Sequence, residues 1–562
     1  MKRNRTARQH NFAIVPNAEI PRSKFHMPQT RKQAFNASEL VPIFCEEVLP
    51  GDVWQHNESI AARFATPIAP IIDDLDLETF YFFVPNRITS PQEGPRQWEP
   101  LITGTDNTAV VGEIRPYSGV VSGPVVVPGG VFDHFGIRPE VNATNFYINA
   151  MPIWAYFKIY NEWFRHQDLQ EEWTWTNNWQ YADSTAITQD SVAWEQQCLR
   201  ANKRADYFTR SLPWPQKGDP VELPLGSTAP VIPDVSNVGA GSNKPAFAGT
   251  TWAGPVLASR LTTTNGSPDV EWAGGNAGST AEVTWNYSGL VADLSAATAA
   301  TINSIRLAFQ TQKLLERDAR GGSRYVEQTL SHFGVQTPDF RLQRPEYLGG
   351  SKIPVAINPV AQTAAYDAYP DVSPSAVGNL GAEMHASSGG RRTFNYAATE
   401  HGYIIGVVVV RATPTYQQGT RRHWKHRRNR LDFYFPVFSH LGEQAVYTDE
   451  IFQSYDNTFD NEIWGYQERS AEYRYTPNEI TGVLRSDSLQ PLDWWHLAEE
   501  FENEPALNEE FITDKTQETL ARALATAPDA QWSSQIVMDI HHSSNVARLM
   551  PAYSVPGLID HF

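Results

Sequence analysis

The segment from residue 315 to residue 350, LERDARGGSRYVEQTLSHFGVQTPDFRLQRPEYLGG, holds five arginines among acidic and aromatic residues. Guanidinium groups at this density beside carboxylates favour planar ion pairs rather than a solvated coat. The paired glycines Gly321–Gly322 and Gly349–Gly350 end elements abruptly and let backbones approach closely. No nucleophile–base or metal-ligand spacing accompanies them. The segment therefore predicts a surface that joins one protein to another, through Arg317, Arg320, Arg324, Arg341 and Arg344.

A second basic segment, RRHWKHRRNR at 421–430, carries six Lys/Arg residues and no acid. Single-stranded nucleic acid is held in this way: cations follow the phosphates, and an indole stacks on a base with roughly 1–3 kcal/mol. Two alternatives stay open, an ion-pair cluster at an interface with the acidic remainder and an ordinary solvated loop. The predicted nucleic-acid contacts are Arg421, Arg422, Trp424, Lys425, Arg427, Arg428 and Arg430.

The N-terminal segment, MKRNRTARQH, is basic as well, and residues 1–32 hold eight Lys/Arg residues against Glu19 alone. The same alternatives apply to it, with disorder as a third. Its predicted nucleic-acid contacts are Lys2, Arg3, Arg5 and Arg8. The whole chain has a net charge of −18, which argues against a free-standing DNA-binding regulator.

Two groups of residues could hold a metal ion. Asp73, Asp74 and Asp76, followed by Glu78, could bind a divalent cation through oxygen ligands, but EF-hand spacing is absent and a solvated turn is favoured. Asp539 precedes His541 and His542, yet adjacent histidines on a strand point in different directions and no distant third ligand stands out. We therefore expect no cofactor and keep the aspartates as weak candidates for a divalent cation.

Enzyme signatures are missing from the chain. There is no G-x-x-x-x-G-K-[ST], G-x-S-x-G or H-E-x-x-H motif. Absence of motifs does not exclude catalysis, but it favours a protein that is not an enzyme.

Three apolar runs predict strands. In FYFFVPNR, residues 80–87, apolar side chains occupy both faces, which predicts a strand buried on both sides. The β-branched run at 401–416 predicts a central strand. LDFYFPVF, residues 431–438, predicts another, with Pro436 at an edge or bulge.

Helical periodicity is confined to two places. Trp154, Phe157, Tyr160 and Phe164 lie close to one helical face, and core packing is the favoured role for that face. Residues 301–320 keep the 3.6-residue period until Gly321–Gly322 ends it. With 39 prolines and 36 glycines, the rest of the chain favours many short strands and long loops.

Residues 226–300 differ in composition from the rest of the chain. Gly, Ser, Thr, Ala, Asn and Pro dominate, and Trp252, Trp272 and Trp285 occur at intervals. The segment is too long and too aromatic for a linker, so we expect a β-rich surface excursion, with a flexible linker as the alternative.

Length and cysteine content set further bounds. A chain of 562 residues can bury a large core, as two or more domains or as one elaborated β domain. Cys45 and Cys198 alone require no disulfide framework and suit a reducing cytoplasm, although they could pair if adjacent. No apolar stretch follows the basic N-terminus, and the run Tyr403–Val410 is too short to span a bilayer, so we expect neither a signal peptide nor a membrane span.

An ordered set of short blocks closely resembles the major capsid proteins of gokushoviruses, a branch of the microviruses that infect bacteria and carry single-stranded DNA. The arginine-rich segment is one such block. The others run almost end to end: LVPI (40–43), EEVLPGD (46–52), FATP (64–67), FYFFVPNR (80–87), IYNEWFR (159–165), DYFT (206–209), LPWPQKG (212–218), EHGYIIG (400–406), TYQQG (415–419), GYQER (465–469) and AEYRY (471–475).

The resemblance implies an eight-stranded antiparallel jelly roll with long insertions and a few short helices. It implies a basic arm at 1–40, jelly-roll segments at 41–225 and 301–562, and an insertion at 226–300 that rises at the threefold axes. About 60 copies would close a T=1 icosahedral shell around circular single-stranded DNA, in the virion and after assembly in the bacterial cytoplasm. The expected partners are other copies of the chain, the genome, a small basic DNA-binding virion protein and a host surface receptor contacted by Trp252, Trp272 and Trp285.

A secreted carbohydrate-active β-sandwich, either a glycosidase or a carbohydrate-binding module, is the alternative from another class. Acidic charge and 17 tryptophans are compatible with it. Retaining hydrolysis needs two carboxylates about 5 Å apart, and the sequence gives no way to choose a pair. The missing export signal counts against this alternative.

Overall fold

The structure is a computed structural model. It describes residues 21–89, 98–104, 113–114, 128–138, 148–173, 198–221, 231–233, 247–249, 260–263, 270–273, 283–285, 290–292, 302–364, 377–455, 459–525 and 534–553. Of the predicted site residues, Lys2, Arg3, Arg5, Arg8 and Trp252 lie outside this part of the chain.

Strands are the main regular elements of the described chain. They are β1 (Ser23–Phe35), β2 (Val41–Val48), β3 (Val53–Phe64), β4 (Leu75–Pro85), β5 (Glu113–Ile114), β6 (Ile148–Asn149), β7 (Val231–Pro233), β8 (Phe247–Gly249), β9 (Arg260–Thr263), β10 (Val270–Ala273), β11 (Val283–Trp285), β12 (Leu290–Ala292), β13 (Glu346–Pro354), β14 (Ala356–Ala361), β15 (Leu380–Ala397), β16 (Gly402–Ala412), β17 (Thr415–Tyr416), β18 (Glu443–Tyr447), β19 (Ile463–Glu468), β20 (Asn478–Glu479) and β21 (Ile536–Arg548).

Helices are mostly short. The α-helices are Asn86–Thr89, Trp98–Thr103, Val131–His134, Met151–Ile159, Ile302–Gly321, Tyr325–Phe333, Arg422–Lys425, Thr448–Ile451, Glu509–Ile512 and Thr516–Ala523. A π-helical turn covers Tyr160–Phe164, and 3₁₀ turns cover Asp339–Arg341, Arg430–Asp432, Pro436–Phe438, Phe459–Asn461, Ala471–Tyr473, Gly482–Leu484 and Asp493–Trp495.

Two antiparallel sheets form the body. The first has the order β1-β21-β3-β15-β14 and the second the order β13-β4-β16-β2. Without β14, the eight remaining strands follow the two-sheet order of a jelly roll, in which the first strand pairs with the last. That pairing joins Ser23 to Arg548 and Phe35 to Ile536. The predicted eight-stranded jelly roll is confirmed, with β14 added at one edge.

Side-chain burial follows each strand's place in the sandwich. In β3 buried and less buried residues alternate, because one face meets the core. In β4 and β16 nearly every residue is buried, so both faces are covered, as the apolar runs predict.

Helix Met151–Ile159 contacts β16, and the Tyr156 hydroxyl donates to the Leu40 carbonyl at 2.8 Å. The predicted core role of this aromatic helical face is confirmed, since Trp154, Phe157 and Tyr160 are buried.

A smaller apolar cluster lies apart from the main core. It consists of Tyr207, Phe208, Tyr416, Val446, Ile451, Trp464, Ala471, Phe511 and Ile512. Strands β18 and β19 contribute to it and pair antiparallel with one another. The basic segment at 421–430 lies in sequence between β17 and β18, which contribute Tyr416 and Val446 to this cluster.

Residues Gly218–Leu315 form a compact unit distinct from Met1–Lys217 with Glu316–Phe562. Within it, β7 pairs with β12, β8 with β11 and β9 with β10, all antiparallel. The three pairs are nested in sequence, as in one long hairpin. The predicted β-rich excursion at 226–300 lies inside this unit, and its location at threefold axes stays a prediction.

Two sequence expectations need correction. The predicted arm at 1–40 is too long, because Ser23–Phe35 is a strand paired along its whole length. Its place at the edge of the sheet explains how Pro28 is tolerated and why apolar alternation is weak. The predicted strand at 431–438 is wrong: 3₁₀ turns occupy Arg430–Asp432 and Pro436–Phe438. Helix Ile302–Gly321 is confirmed, and it ends before Gly322, whose φ is 97°.

The cysteines do not pair with one another. Cys45 and Cys198 are both free, and burial raises the pKa of Cys45 to about 12. Burial also raises the pKa of Cys198 well above its usual value. Both thiols are therefore protonated and unreactive at neutral pH.

Candidate nucleic-acid and subunit interfaces

Most cations of the basic segment are bound to carboxylates of the same chain. Arg422 lies 2.9 Å from Glu450, and Lys425 lies 3.1 Å from Asp449 and 2.9 Å from Asp460. Further pairs join Arg421 to Glu479 and Arg427 to Glu472. The segment is thus largely an ion-pair cluster, as one alternative held, but its acidic partners belong to the same subunit.

Burial and pairing act in opposite directions on these groups. Desolvation lowers the pKa of Lys425, but hydrogen bonds to Asp460 and Asp449 outweigh it and raise the pKa overall. Burial raises the pKa of Glu450, and the nearby Arg422 offsets part of that rise. Lys425 therefore stays charged, and it compensates two carboxylates whose side chains are almost fully buried.

Three members of the basic segment remain available to another molecule. Trp424 is 77% exposed and contacts only its neighbour His423 among the described aromatic rings. Arg428 and Arg430 are exposed and form no ion pair with any described residue. Arg430 lies over the Phe435 ring, 5.5 Å from its centroid. Of the predicted nucleic-acid contacts, these three are the ones whose exposure leaves them free to meet phosphates and bases.

The arginines of 315–350 divide in the same way. Arg320 pairs with Glu443 and donates to the Gln467 side chain at 2.7 Å. Arg324 donates to the Arg165 carbonyl at 2.8 Å and lies 3.2 Å from Glu327. Arg344 is buried, 3.1 Å from Asp339, with its guanidinium over the Trp163 ring. These three hold their own subunit together.

Arg317 and Arg341 are exposed and form no ion pair with the residues that the structure describes. Arg341 has only the ring of Phe340 beneath it, at 5.9 Å. The predicted contacts to carboxylates within the arginine-rich block thus exist for Arg324 and Arg344. That these arginines bind another subunit remains a prediction. Arg317 and Arg341 are the best candidates for that contact, because their side chains are exposed.

The aspartates predicted as weak candidates for a divalent-cation site form contacts within the protein. Asp76 lies 2.7 Å from Arg204 and 2.8 Å from Lys352, and Asp73 accepts the backbone N–H of Leu497 at 3.0 Å. Asp74 donates its own N–H to Asp73 at 2.8 Å. Across the described ranges, no three His, Cys, Asp or Glu side chains come together as metal ligands. A divalent-cation site at these aspartates stays a prediction.

A buried polar cluster lies between the two sheets, and sequence reasoning missed it. His56, Glu58 and His542 are almost completely buried. The Ser544 hydroxyl lies 2.8 Å from His56 Nδ1, His56 Nε2 lies 3.3 Å from His542 Nδ1, and His542 Nε2 lies 3.1 Å from the Ile43 carbonyl. This chain is satisfied when both imidazoles are neutral.

Burial lowers the pKa of His56 to about 3 and that of His542 to about 4, in agreement with neutral rings. Glu58 accepts hydrogen bonds from the hydroxyl groups of Tyr81 at 2.7 Å, Thr79 at 3.0 Å and Ser351 at 2.6 Å. The alternating pattern of β3 could have indicated this cluster, because His56 and Glu58 lie on the same inward-facing side of the strand as Trp54 and Ile60. His541, on the other face of β21, is exposed, as the expected opposite directions require.

The jelly-roll topology is that of a structural protein of the viral capsid type. The chain belongs to the capsid protein (F protein) family, which matches residues 13–558. It is a gokushovirus-type major capsid protein, located in the capsid shell, where copies assemble with one another, and it is not an enzyme.

Three relatives are similar over essentially their whole length, and each is a capsid protein VP1. That of Bdellovibrio phage phiMH2K is 39% identical, over 100% of both chains. Those of Chlamydia phage 1 and Spiroplasma virus 4 are 36% and 35% identical, each over 98% of both chains. The carbohydrate-active alternative is not favoured. Among the described helices, none is long and apolar enough to cross a membrane.

Proposed function

We propose that about 60 copies of this chain close a T=1 icosahedral shell around a circular single-stranded DNA genome. The match to the capsid family over residues 13–558 supports the proposal, together with the jelly-roll body. In such a shell many modest contacts add together, so no single subunit contact has to be strong.

Genome contact is assigned to Trp424, Arg428 and Arg430, with Lys2, Arg3, Arg5 and Arg8 of the N-terminal segment. The observation that supports it is the exposure of an indole beside two guanidinium groups without ion pairs. Stacking and phosphate contact of this kind need no base sequence, which suits a protein that must accept a whole genome.

Purified shells test this assignment. We expect shells of the Trp424→Ala/Arg428→Gln/Arg430→Gln variant to form in normal yield but to retain less DNA, measured as the nuclease-protected absorbance per shell. DNA released from opened shells should rebind the parent protein less strongly as salt rises, because cation–phosphate contacts release counterions. A matched control is Arg63→Gln, an exposed arginine paired with Glu383. Unchanged DNA content in the triple variant would refute the assignment.

We further propose that the insertion at 226–300 contacts the host surface receptor, with Trp252, Trp272 and Trp285 as contacts. Its compact and separate packing supports this division of roles. In the strand register Trp272 lies opposite Leu261, and Trp285 lies opposite Phe247. Deletion of 226–300 should leave shells that form but fail to attach to cells in an adsorption assay. A deletion variant that cannot fold would contradict the proposal.

A small basic DNA-binding virion protein is proposed as an additional partner inside the shell. The net charge of −18 on each copy supports it, because the chain carries more carboxylates than cations and cannot as a whole neutralise a genome. Mass spectrometry of purified virions tests it: a stoichiometric basic polypeptide is expected, and its absence would refute this partner.

A further inference from the structure

Large apolar side chains crowd one exposed segment of the capsid subunit. Leu431, Phe433, Tyr434, Val437 and Leu441 are between 47% and 85% exposed. Tyr473, itself 60% exposed, adjoins them, with its ring centroid 6.1 Å from that of Tyr434. These six residues are called the 431–441 surface below. Apolar residues this dense on a surface mark an interaction site.

The segment is held in a fixed shape although it packs against little. The Asp432 carboxylate accepts the backbone N–H groups of Arg428 at 2.9 Å and Asn429 at 2.6 Å. Phe438 N–H donates to the Phe435 carbonyl at 2.8 Å, and Leu441 N–H donates to that of Phe438 at 3.3 Å. The turns therefore satisfy their own hydrogen bonds, and binding another molecule requires little further ordering.

Both ends of the segment are anchored in the subunit. Upstream, Arg427 pairs with Glu472 and lies over the ring of Tyr473. Downstream, the chain enters β18, which is paired with β19. A surface fixed at both ends is suited to a rigid contact rather than to a mobile tail.

The size of the surface can be compared with that of a stable interface. The three aromatic side chains, each of roughly 150–250 Å² and about half exposed, offer on the order of 200–400 Å², and Leu431, Val437 and Leu441 add further apolar area. A standard interface uses about 800 Å² on each partner. Sequence patterning predicted a strand at residues 431–438, but the isolated subunit pairs them in no sheet and leaves their apolar side chains exposed.

We propose that the 431–441 surface packs against a second copy of this chain and forms an apolar subunit contact of the shell. The inference rests on shell assembly. Members of the capsid family assemble with copies of themselves, so a neighbouring copy is the partner present at matching concentration. The chemistry agrees, because aromatic residues and arginine are enriched and lysine is depleted in interface cores.

A single substitution tests the contact. Val437 is the most exposed member of the surface, and the Val437→Asp variant should therefore fold normally. We expect it to lower the yield of shells tenfold or more, measured by gradient sedimentation and negative-stain imaging. Thermal unfolding of the unassembled subunit should be unchanged. Val437→Ile, which keeps the apolar contact, should assemble like the parent chain.

A second experiment measures directly whether the 431–441 surface is accessible to a reagent. A Val437→Cys variant should react with a maleimide in the unassembled subunit and be protected in shells, beyond the background given by the parent's Cys45 and Cys198. Leu489→Asp supplies the charge control, since Leu489 is also fully exposed but lies outside the surface. Shells of that variant should form at parental yield.

Three outcomes would overturn the proposal. Normal shell yield with Val437→Asp would show that no subunit contact lies there. A lowered unfolding temperature of the isolated subunit would show that another part of the same chain covers the surface. Equal loss of shells with Leu489→Asp would show an unspecific effect of charge. Failure of the genome assignment looks different: shells form but contain less DNA.

Discussion

Individual charged residues in this subunit are used chiefly to hold it together. Lys425 illustrates this, because its position in a run of six cations suggests nucleic acid, yet its ammonium group bridges Asp449 and Asp460. Arg320, Arg324 and Arg344 behave similarly in the other basic segment. A sequence shows which side chains carry charge, whereas the carboxylates that pair with them lie from 3 positions away, for Arg324 and Glu327, to 123 positions away, for Arg320 and Glu443.

Replacing Lys425 separates the structural role from a genome role. We expect Lys425→Gln to destabilise the unassembled subunit by about 3–5 kcal/mol, because two buried carboxylates lose their cation. Denaturant unfolding followed by fluorescence measures this. Arg428→Gln is the control and should change stability by less than about 0.5 kcal/mol, since its side chain is exposed. Equal stability of Lys425→Gln and the parent chain would contradict the structural role.

The buried histidine pair predicts a dependence of stability on pH. The pKa is lowered to about 3 in His56 and about 4 in His542, whereas the unfolded chain titrates near its ordinary pKa of about 6.5. Below that pH the unfolded state binds protons that the folded state does not. Stability is therefore complete above about pH 6.5 and declines as pH falls, by about 1.4 kcal/mol per pH unit for each histidine.

Unfolding midpoints between pH 7.5 and pH 5 check this expectation. A His56→Asn variant should be less stable at pH 7.5 but should show a shallower decline with pH. His541→Asn, on the exposed face of the same sheet, should keep the parental slope. The same slope in all three proteins would show that the buried pair contributes nothing to the pH dependence.

At the scale of elements, the sequence was informative wherever burial is decided within one subunit. The run at 80–87 predicted a strand buried on both sides because apolar residues occupy both of its faces. The run at 401–416 predicted a central strand because it is β-branched and mostly apolar, and β4 and β16 are indeed buried on both faces. The run at 431–438 is also rich in large apolar residues, yet it forms 3₁₀ turns with exposed apolar side chains. A local sequence pattern indicates that a segment has apolar side chains to bury. It does not indicate whether the same chain or another chain covers them.

The order of the strands within the two sheets could not be predicted from local sequence patterns. β1 and β21 are more than 500 residues apart and pair over thirteen positions, and the jelly roll closes only through that pairing. The polar cluster of the core was missed for a related reason. The hydrogen-bond partners of His56 and Glu58 lie on β4, β13 and β21. They can therefore be identified only when the packing of the two sheets is known.

Close strand approach at Gly350 gives a prediction for this scale. A Cβ atom there would lie 2.0 Å from the Thr79 carbonyl oxygen, which the β13–β4 pairing holds in place. We expect Gly350→Ala to destabilise the subunit by at least about 1–3 kcal/mol, as overpacking does in a well-packed core. Urea unfolding, or the yield of soluble subunit, measures the loss.

Gly381→Ala in β15 is the matched control, because the nearest atom to its Cβ would be 4.0 Å away. That variant should unfold at nearly the parental urea concentration. If Gly350→Ala were as stable as Gly381→Ala, β13 would not be held as close to β4 as the structure shows.

At the scale of the whole molecule, the two kinds of subunit contact respond to salt in opposite ways. An interface carried by arginine–carboxylate pairs weakens as ionic strength rises, because exposed charges are screened. An apolar interface is insensitive to sodium chloride and is strengthened by sulfate, which is excluded from protein surfaces. Arg320, Arg324 and Arg344 are already bound within the subunit, and the 431–441 surface is apolar, so the structure favours the second behaviour.

Empty shells of the Trp424→Ala/Arg428→Gln/Arg430→Gln variant isolate these contacts from the effect of the genome. We expect them to stay assembled between 0.05 M and 1 M sodium chloride, over which the Debye length falls from about 14 Å to about 3 Å. Moderate sodium sulfate should promote assembly of free subunits. Sedimentation at each salt concentration provides the measurement. Shells that fall apart at 1 M sodium chloride would indicate that exposed charges such as Arg317 and Arg341, rather than the apolar surface, carry the subunit contacts.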